Sequence, residues 1–278
     1  MRSTRVIVGF LAAFYSTAAL ADDDEATKSD VSDFPAGTYS VQRPIQGSQG
    51  TWNFRLYGIM NLSKDLVAEP VSIAPDLSYS VTDRFQLSLV HTGPMGWQTL
   101  PGSGFCVTGE NRGCPRLYNN IGFDAMFGLL SGRHFLSAQA SFYVLSFADP
   151  SATLLTLGLP AKFGIANGFA IFLDPQFGIG VTGRDEVTGV KEAIFVPVQF
   201  EVQAGAPLQL SLLSGISGPL DGFGDAYQVP VGVGALYNIN AHFDLGLRFS
   251  FDNLLGKVPV GVDRIDTRSL SLLIAIRG

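Results

Sequence analysis

Eight charged residues fall where an extended chain would turn them to the same side as glycine, serine and glutamine. Arg55, Lys162 and Arg248 are positive, and Asp76, Asp124, Asp174, Glu201 and Asp244 are negative, with Gln176 on the same polar parity. Around a common interior, such a set does one of two things. The charges pair across the space and keep a polar core satisfied, or they line a water-filled path and select the solutes that pass. Cys106 and Cys114 flank Val-Thr-Gly-Glu-Asn-Arg-Gly. No histidine lies nearby to complete a metal site. A disulfide closing a tight loop is the expectation, with a modest gain because the loop is short. Hydrolysis would need a histidine within reach of a nucleophile. The same-face neighbours of His91 are Leu89 and Gly93, which leaves no serine beside it, and His134 and His242 fall in turns. His91 is therefore expected to be an interfacial residue. No catalytic residue, metal site or cofactor is expected, a phosphate-binding glycine loop is absent, and the chain does not read as an enzyme.

The elements that must position these residues alternate with period two. In 243–252, Phe243, Leu245, Leu247, Phe249 and Phe251 face one way, and Asp244, Gly246, Arg248, Ser250 and Asp252 face the other. A helix would scatter them around its axis, whereas a strand sorts them onto two faces. About twelve such segments are predicted, at 52–61, 68–80, 85–92, 117–129, 135–147, 153–165, 169–182, 192–203, 207–216, 226–237, 242–252 and 265–277. Most are near the ~9–11 residues that a tilted membrane strand needs. Short turns such as Thr82-Asp83-Arg84, Ser131-Gly132-Arg133 and Ala166-Asn167-Gly168 alternate with longer polar connections, the longest being 93–116. Asn-Gly is a strong hairpin signal.

Composition points the same way. The 278 residues are 46% hydrophobic and only 15% charged, with mean hydropathy +0.26. No stretch beyond the N-terminus has the ~18–20 continuous apolar residues of a membrane helix, so the hydrophobicity is dispersed. A sequence pI of about 5.0 leaves no basic footprint for nucleic acid. A soluble sandwich also alternates, but the polar faces here hold Gly, Ser, Gln and Asn rather than Lys and Glu. Trp52, Tyr79, Phe85, Phe163, Phe169, Phe200, Tyr237 and Phe243 gather on the apolar face near the short turns, as an interfacial girdle would. A sheet bathed in hydrocarbon must also close, because an unpaired edge there is prohibitively costly. The expected fold is all-β, a closed antiparallel transmembrane β-barrel of about 12 strands.

On this alternation over about 50–278, the chain resembles bacterial outer-membrane β-barrel proteins as a class. Such barrels usually end in an aromatic residue, whereas the last strand here, Leu270 to Gly278, does not. The resemblance implies the cell outer membrane, contact with outer-membrane lipid, and either passage or binding of a small-molecule solute or a closed barrel that recognises partners through external loops. Arg2 and Arg5, the apolar run Val6–Tyr15 and Ala19-Leu20-Ala21 read as a signal peptide over 1–21. Removing it leaves 16 basic and 24 acidic residues, a net charge of −8. Residues 22–50 are expected to form a periplasmic tail or partial plug, with Thr38–Val41 available as an extra strand. Pro70, Pro75, Pro160, Pro175, Pro197 and Pro230 fall inside predicted strands, where a missing N–H calls for bulges.

Overall fold

The computed structural model describes residues 40–94, 100–147, 151–185, 191–258 and 263–278; the expected signal peptide lies outside them. The strand segments are β1 (Trp52–Asn61), β2 (Val71–Thr82), β3 (Phe85–Val90), β4 (Phe105–Cys106), β5 (Ile121–Leu130), β6 (His134–Ser146), β7 (Ala152–Gly158), β8 (Ala161–Ala166), β9 (Phe169–Leu173), β10 (Gln176–Thr182), β11 (Glu192–Gly205), β12 (Leu208–Pro219), β13 (Val231–Asn240), β14 (Phe243–Phe251) and β15 (Arg268–Arg277). The short β4 belongs to the longest loop and pairs with β2. The segments β7 and β8 are two halves of one wall strand, and so are β9 and β10. That leaves twelve wall strands, each antiparallel to its sequence neighbour, and β1 pairs with β15 from Asn53↔Arg277 to Asn61↔Ser269 to close the ring.

The period-two pattern dictates this shape. Along β14, Leu245 and Leu247 are exposed on the outside, while Asp244 and Ser250 are buried on the inside. Along β2, Ser72, Ala74, Asp76, Ser78 and Ser80 point inward and are buried. Trp52, Tyr79 and Tyr237 lie exposed on the outer surface near the short turns.

The prolines do not produce bulges. The pairing register runs unbroken past Pro160 and Pro175, from Leu136↔Ala161 to Gln139↔Gly158 and from Ala161↔Leu173 to Gly158↔Gln176. It also runs unbroken past Pro75 and Pro197. Each of the three central prolines accepts through its carbonyl: from Ser137 N to Pro160 O (2.8 Å), Leu159 N to Pro175 O (3.0 Å) and Asp174 N to Pro197 O (3.1 Å). What is lost is the reciprocal donor, so the Ser137, Leu159 and Asp174 carbonyls lack a ladder N–H at three successive seams. Pro70 and Pro230 stand just ahead of β2 and β13, which begin later than expected. Bulges occur instead beside the short turns, between Ser80/Thr82, Gly128/Leu130, Gly164/Ala166, Gln203/Gly205 and Asn238/Asn240, with two more at the loop ends of β6 and β10. A bulge twists the strand locally and lets a short connection turn the chain. Ser40–Gln42 form a 3-10 turn where extension was expected.

Leu272 sits on the outer face at mid-strand, exposed and paired with Gly58 and Leu247. If hydrocarbon covers that face, Leu272→Arg should destabilise folding into phospholipid vesicles by about 2–4 kcal/mol. An unchanged denaturant midpoint would show that no lipid touches it.

Candidate functional site

The barrel encloses a cavity of about 350 Å³, and Arg55, Asp76, Asp124, Lys162, Asp174, Gln176, Glu201, Asp244 and Arg248 all line it. This volume lies in the ~300–1,000 Å³ range of small-molecule pockets. Charge of both signs lines its wall, with Asp244 and Arg248 on one strand and Asp76 in register with Arg55. Arg248, Arg277 and Arg55 occupy the consecutive strands β14, β15 and β1. Across the ring, β5 and the β9/β10 strand carry Asp124 and Asp174.

Each charge has a distinct environment. Lys162 and Glu201 form a buried ion pair at 2.8 Å, and Gln199 donates to the other Glu201 oxygen at 2.8 Å. Asp244 sits near the short-turn mouth and is held by Arg43 at 2.7 Å, by Arg277 and by Asn238 at 2.7 Å. Asp76 binds the start of the longest loop, accepting from His91 N at 2.6 Å and from the Thr92 hydroxyl at 2.7 Å. Arg248 lies 6.0 Å from the centroid of the Tyr57 ring. Asp124 accepts from Gln139 at 2.7 Å and from Ser141, and Asp174 accepts from Gln176 at 2.8 Å. Among the described residues, no ion pair reaches Asp124 or Asp174 within 4 Å, and no cluster of His, Cys, Asp or Glu is suited to a metal.

The lumen is also graded along its axis. Toward the loops its inner surface is apolar, with Tyr143, Leu154, Ala193 and Phe195 packed together and Tyr57, Ile59, Ala74 and Leu273 in a second cluster. At the short-turn mouth lies a strap of chain. Gln42 donates to Asn167 O at 2.8 Å, Lys162 to Ser40 O at 3.3 Å, and Ser40 to Gln203 at 3.4 Å. The strap then reaches Asp244 through Arg43 and the β2–β3 turn through Gln49 N to Asp83 at 2.8 Å. The β8–β9 turn stands opposite β1 in a ring of twelve, so the strap crosses the mouth. Arg277 shares the inward parity of Leu273 and Ala275 and was readable from the sequence. Arg43 belongs to no strand and gave no signal.

The longest loop folds back over the free upper edge of β2. Cys106 and Cys114 are joined by a disulfide. Gly104 lies so close to β2 that a Cβ would stand 2.4 Å from Ile73 O, and its φ is +70°. His91 is not interfacial. It is buried on the outer side of the wall beneath the rings of Phe105 and Tyr118, with its nitrogens facing Pro75 O and the Tyr118 hydroxyl. Burial raises the Tyr118 hydroxyl above its ordinary value.

No protein-family model matches the sequence, and no curated protein matches it either. Solved structures match the fold. The NanC porin superposes with TM-score 0.58 at 6% identity, covering 80% of this chain and 98% of that one. The outer membrane channel of the COG4313 group from Pseudomonas putida F1 gives 0.53 at 12% identity, covering 84% and 97%. The KdgM porin gives 0.53 at 7% identity, covering 81% and 98%. The chain thus has the architecture of a bacterial outer-membrane β-barrel.

Just beyond β14, burial pushes the Asp252 carboxyl up to about 6, although the Ser269 hydroxyl donates to it at 3.3 Å. The ordinary value is about 3.9. The folded chain therefore holds this proton more tightly than the unfolded one, and the stability it contributes is full near pH 4 and lost as pH rises through 6. Asp252→Asn should flatten the dependence of the urea midpoint between pH 4 and pH 7; an unaltered slope would place the titration elsewhere.

Proposed function

We propose that the barrel gives small polar and amphiphilic solutes a narrow passive path across the outer membrane. The observation that carries this reading is the lumen cavity, lined by Arg248, Arg277 and Arg55 and by carboxylates both beside and across from them. Charges of both signs in a narrow, low-dielectric space orient a dipolar solute and discriminate by charge. The apolar inner surface toward the loops suits an amphiphile's body, and the charged lower half suits its polar end. The matched structures, two porins and an outer membrane channel, favour the same reading. Residues 1–21 would direct export, and the short turns and strap would then face the periplasm.

In this reading the strap sets the width of the inner mouth, and the Arg43–Asp244 pair fastens it. In planar bilayers the protein should open in small discrete steps, and Arg43→Ala should raise the unit conductance severalfold by releasing the strap. Equal conductance in both proteins would remove the strap from the path. The strap also favours a second reading, a closed barrel acting through its braced external loops. Silence in both proteins would support that one.

A further inference from the structure

We propose that the wall spanning β6, β7 and the β9/β10 strand holds a binding site for a compact monovalent cation, an alkali ion or a primary ammonium. Its oxygens come from Gln139, Asp174 and Gln176, which line the lumen cavity together beside Gly158. The site deepens the solute-path reading by naming what the lumen prefers.

The orientation of the two glutamines is fixed by their neighbours. Gln139 Nε2 donates to Asp124 at 2.7 Å, and Gln176 Nε2 donates to Asp174 at 2.8 Å. Reversing either amide would set its oxygen against a carboxylate, so each Oε1 points away from its acidic partner. Both of these oxygens lack a hydrogen-bond partner among the described residues, and so does Asp174 Oδ1. All three residues are more than nine-tenths buried. A buried polar atom left unsatisfied costs about 1–3 kcal/mol. Three orphan acceptors on strands flanking β7 call for an occupant.

The strands bring these oxygens together. Gly158 pairs with Gln139 on one side and Gln176 on the other. A Cβ at 158 would stand 3.0 Å from Gln176 Cγ and 3.6 Å from Gln139 Oε1, so the glycine keeps the space between them open. Asp174 lies two residues before Gln176 and is buried on the same inward face.

The chemistry of the occupant follows from the charge count. The free oxygens comprise one carboxylate oxygen and two amide oxygens. Both Asp124 oxygens are already taken by Gln139 and Ser141. A set with one negative charge and neutral hard oxygens suits a monovalent cation better than a divalent one. The other lumen acids are compensated: Glu201 by Lys162, and Asp244 by Arg43 and Arg277.

The test is thermal unfolding of the detergent-purified barrel at fixed ionic strength in the chlorides of potassium, methylammonium, tetramethylammonium and calcium. Potassium and methylammonium should raise the midpoint by roughly 2–4 °C over tetramethylammonium in the wild type. Asp174→Asn, which keeps the volume, and Gly158→Val, which keeps every charge but fills the space, should each abolish that difference. An equal rise in all three proteins would show a general salt effect with ordered water on the orphan oxygens, and would overturn the site. A larger rise with calcium would overturn the monovalent assignment. In bilayers, Asp174→Asn should lower the potassium-to-chloride permeability ratio severalfold. Because the melting shift needs no conduction, a barrel that binds but stays silent would defeat the path and leave the site standing.

Discussion

Hydrocarbon offers no partner to a peptide N–H or C=O, so a wall of strands in lipid must return to its own first strand. Here that return is the β1–β15 ladder from Asn53↔Arg277 to Asn61↔Ser269. Once the ring is closed, each strand has an outside and an inside, and a side chain's parity decides which solvent it meets. Leu245 and Leu247 belong to the lipid side and Asp244 and Arg248 to the lumen because they alternate along one strand. Closure also explains how the central prolines are tolerated. Each removes one donor but keeps its acceptor and the register. The wall stays closed while its ladder thins at three neighbouring seams.

Parity carries a further consequence for the interior. A side chain sent inward cannot leave, so polar residues must find partners within a space of about 350 Å³. The ring solves this unevenly. Near the short-turn mouth the solution is complete, because Arg43 and Arg277 converge on Asp244 and Lys162 meets Glu201. Higher on the opposite wall the acids are served by amides and a hydroxyl, which neutralise no charge. Arg55 and Arg248, on β1 and β14, stand on the other side of the lumen, where Arg55 is in register with Asp76.

How much of this was legible depends on the distance over which each feature is decided. Alternation and turn residues act within a few positions, and so the twelve strand segments and short turns could be read from the chain. The cysteine pair, eight residues apart, was equally local. Features set by distant partners were not. Pro160 and Pro175 called for bulges by local rule, but neighbouring strands hold the register and leave only missing donors. His91 has the parity of a lipid-facing residue, and only the fold-back of a loop almost thirty residues long lays Phe105 and Tyr118 over it. Residues 117–120 were expected to open a strand, yet they are drawn into that loop, where Asn120 bridges Gly104 N and His91 O. Parity could mark Arg277 as inward, but it could not show that Asp244 would be its partner.

The strap shows why local rules fail at the mouth in particular. Residues 40–50 have no alternation because they pair with no strand. Among the described residues they are held by the Arg43–Asp244 pair and by hydrogen bonds to turns and to side chains of β3, β8 and β11. Such contacts are replaceable by water at an open mouth, whereas those of the wall are not replaceable in lipid. A barrel of this kind thus separates two orders of stability: a ring that cannot open without exposing its ladder to hydrocarbon, and an inner segment whose release costs only what water can largely restore. A change in access to the lumen draws on the second, because the contacts of that segment are ones that water can replace.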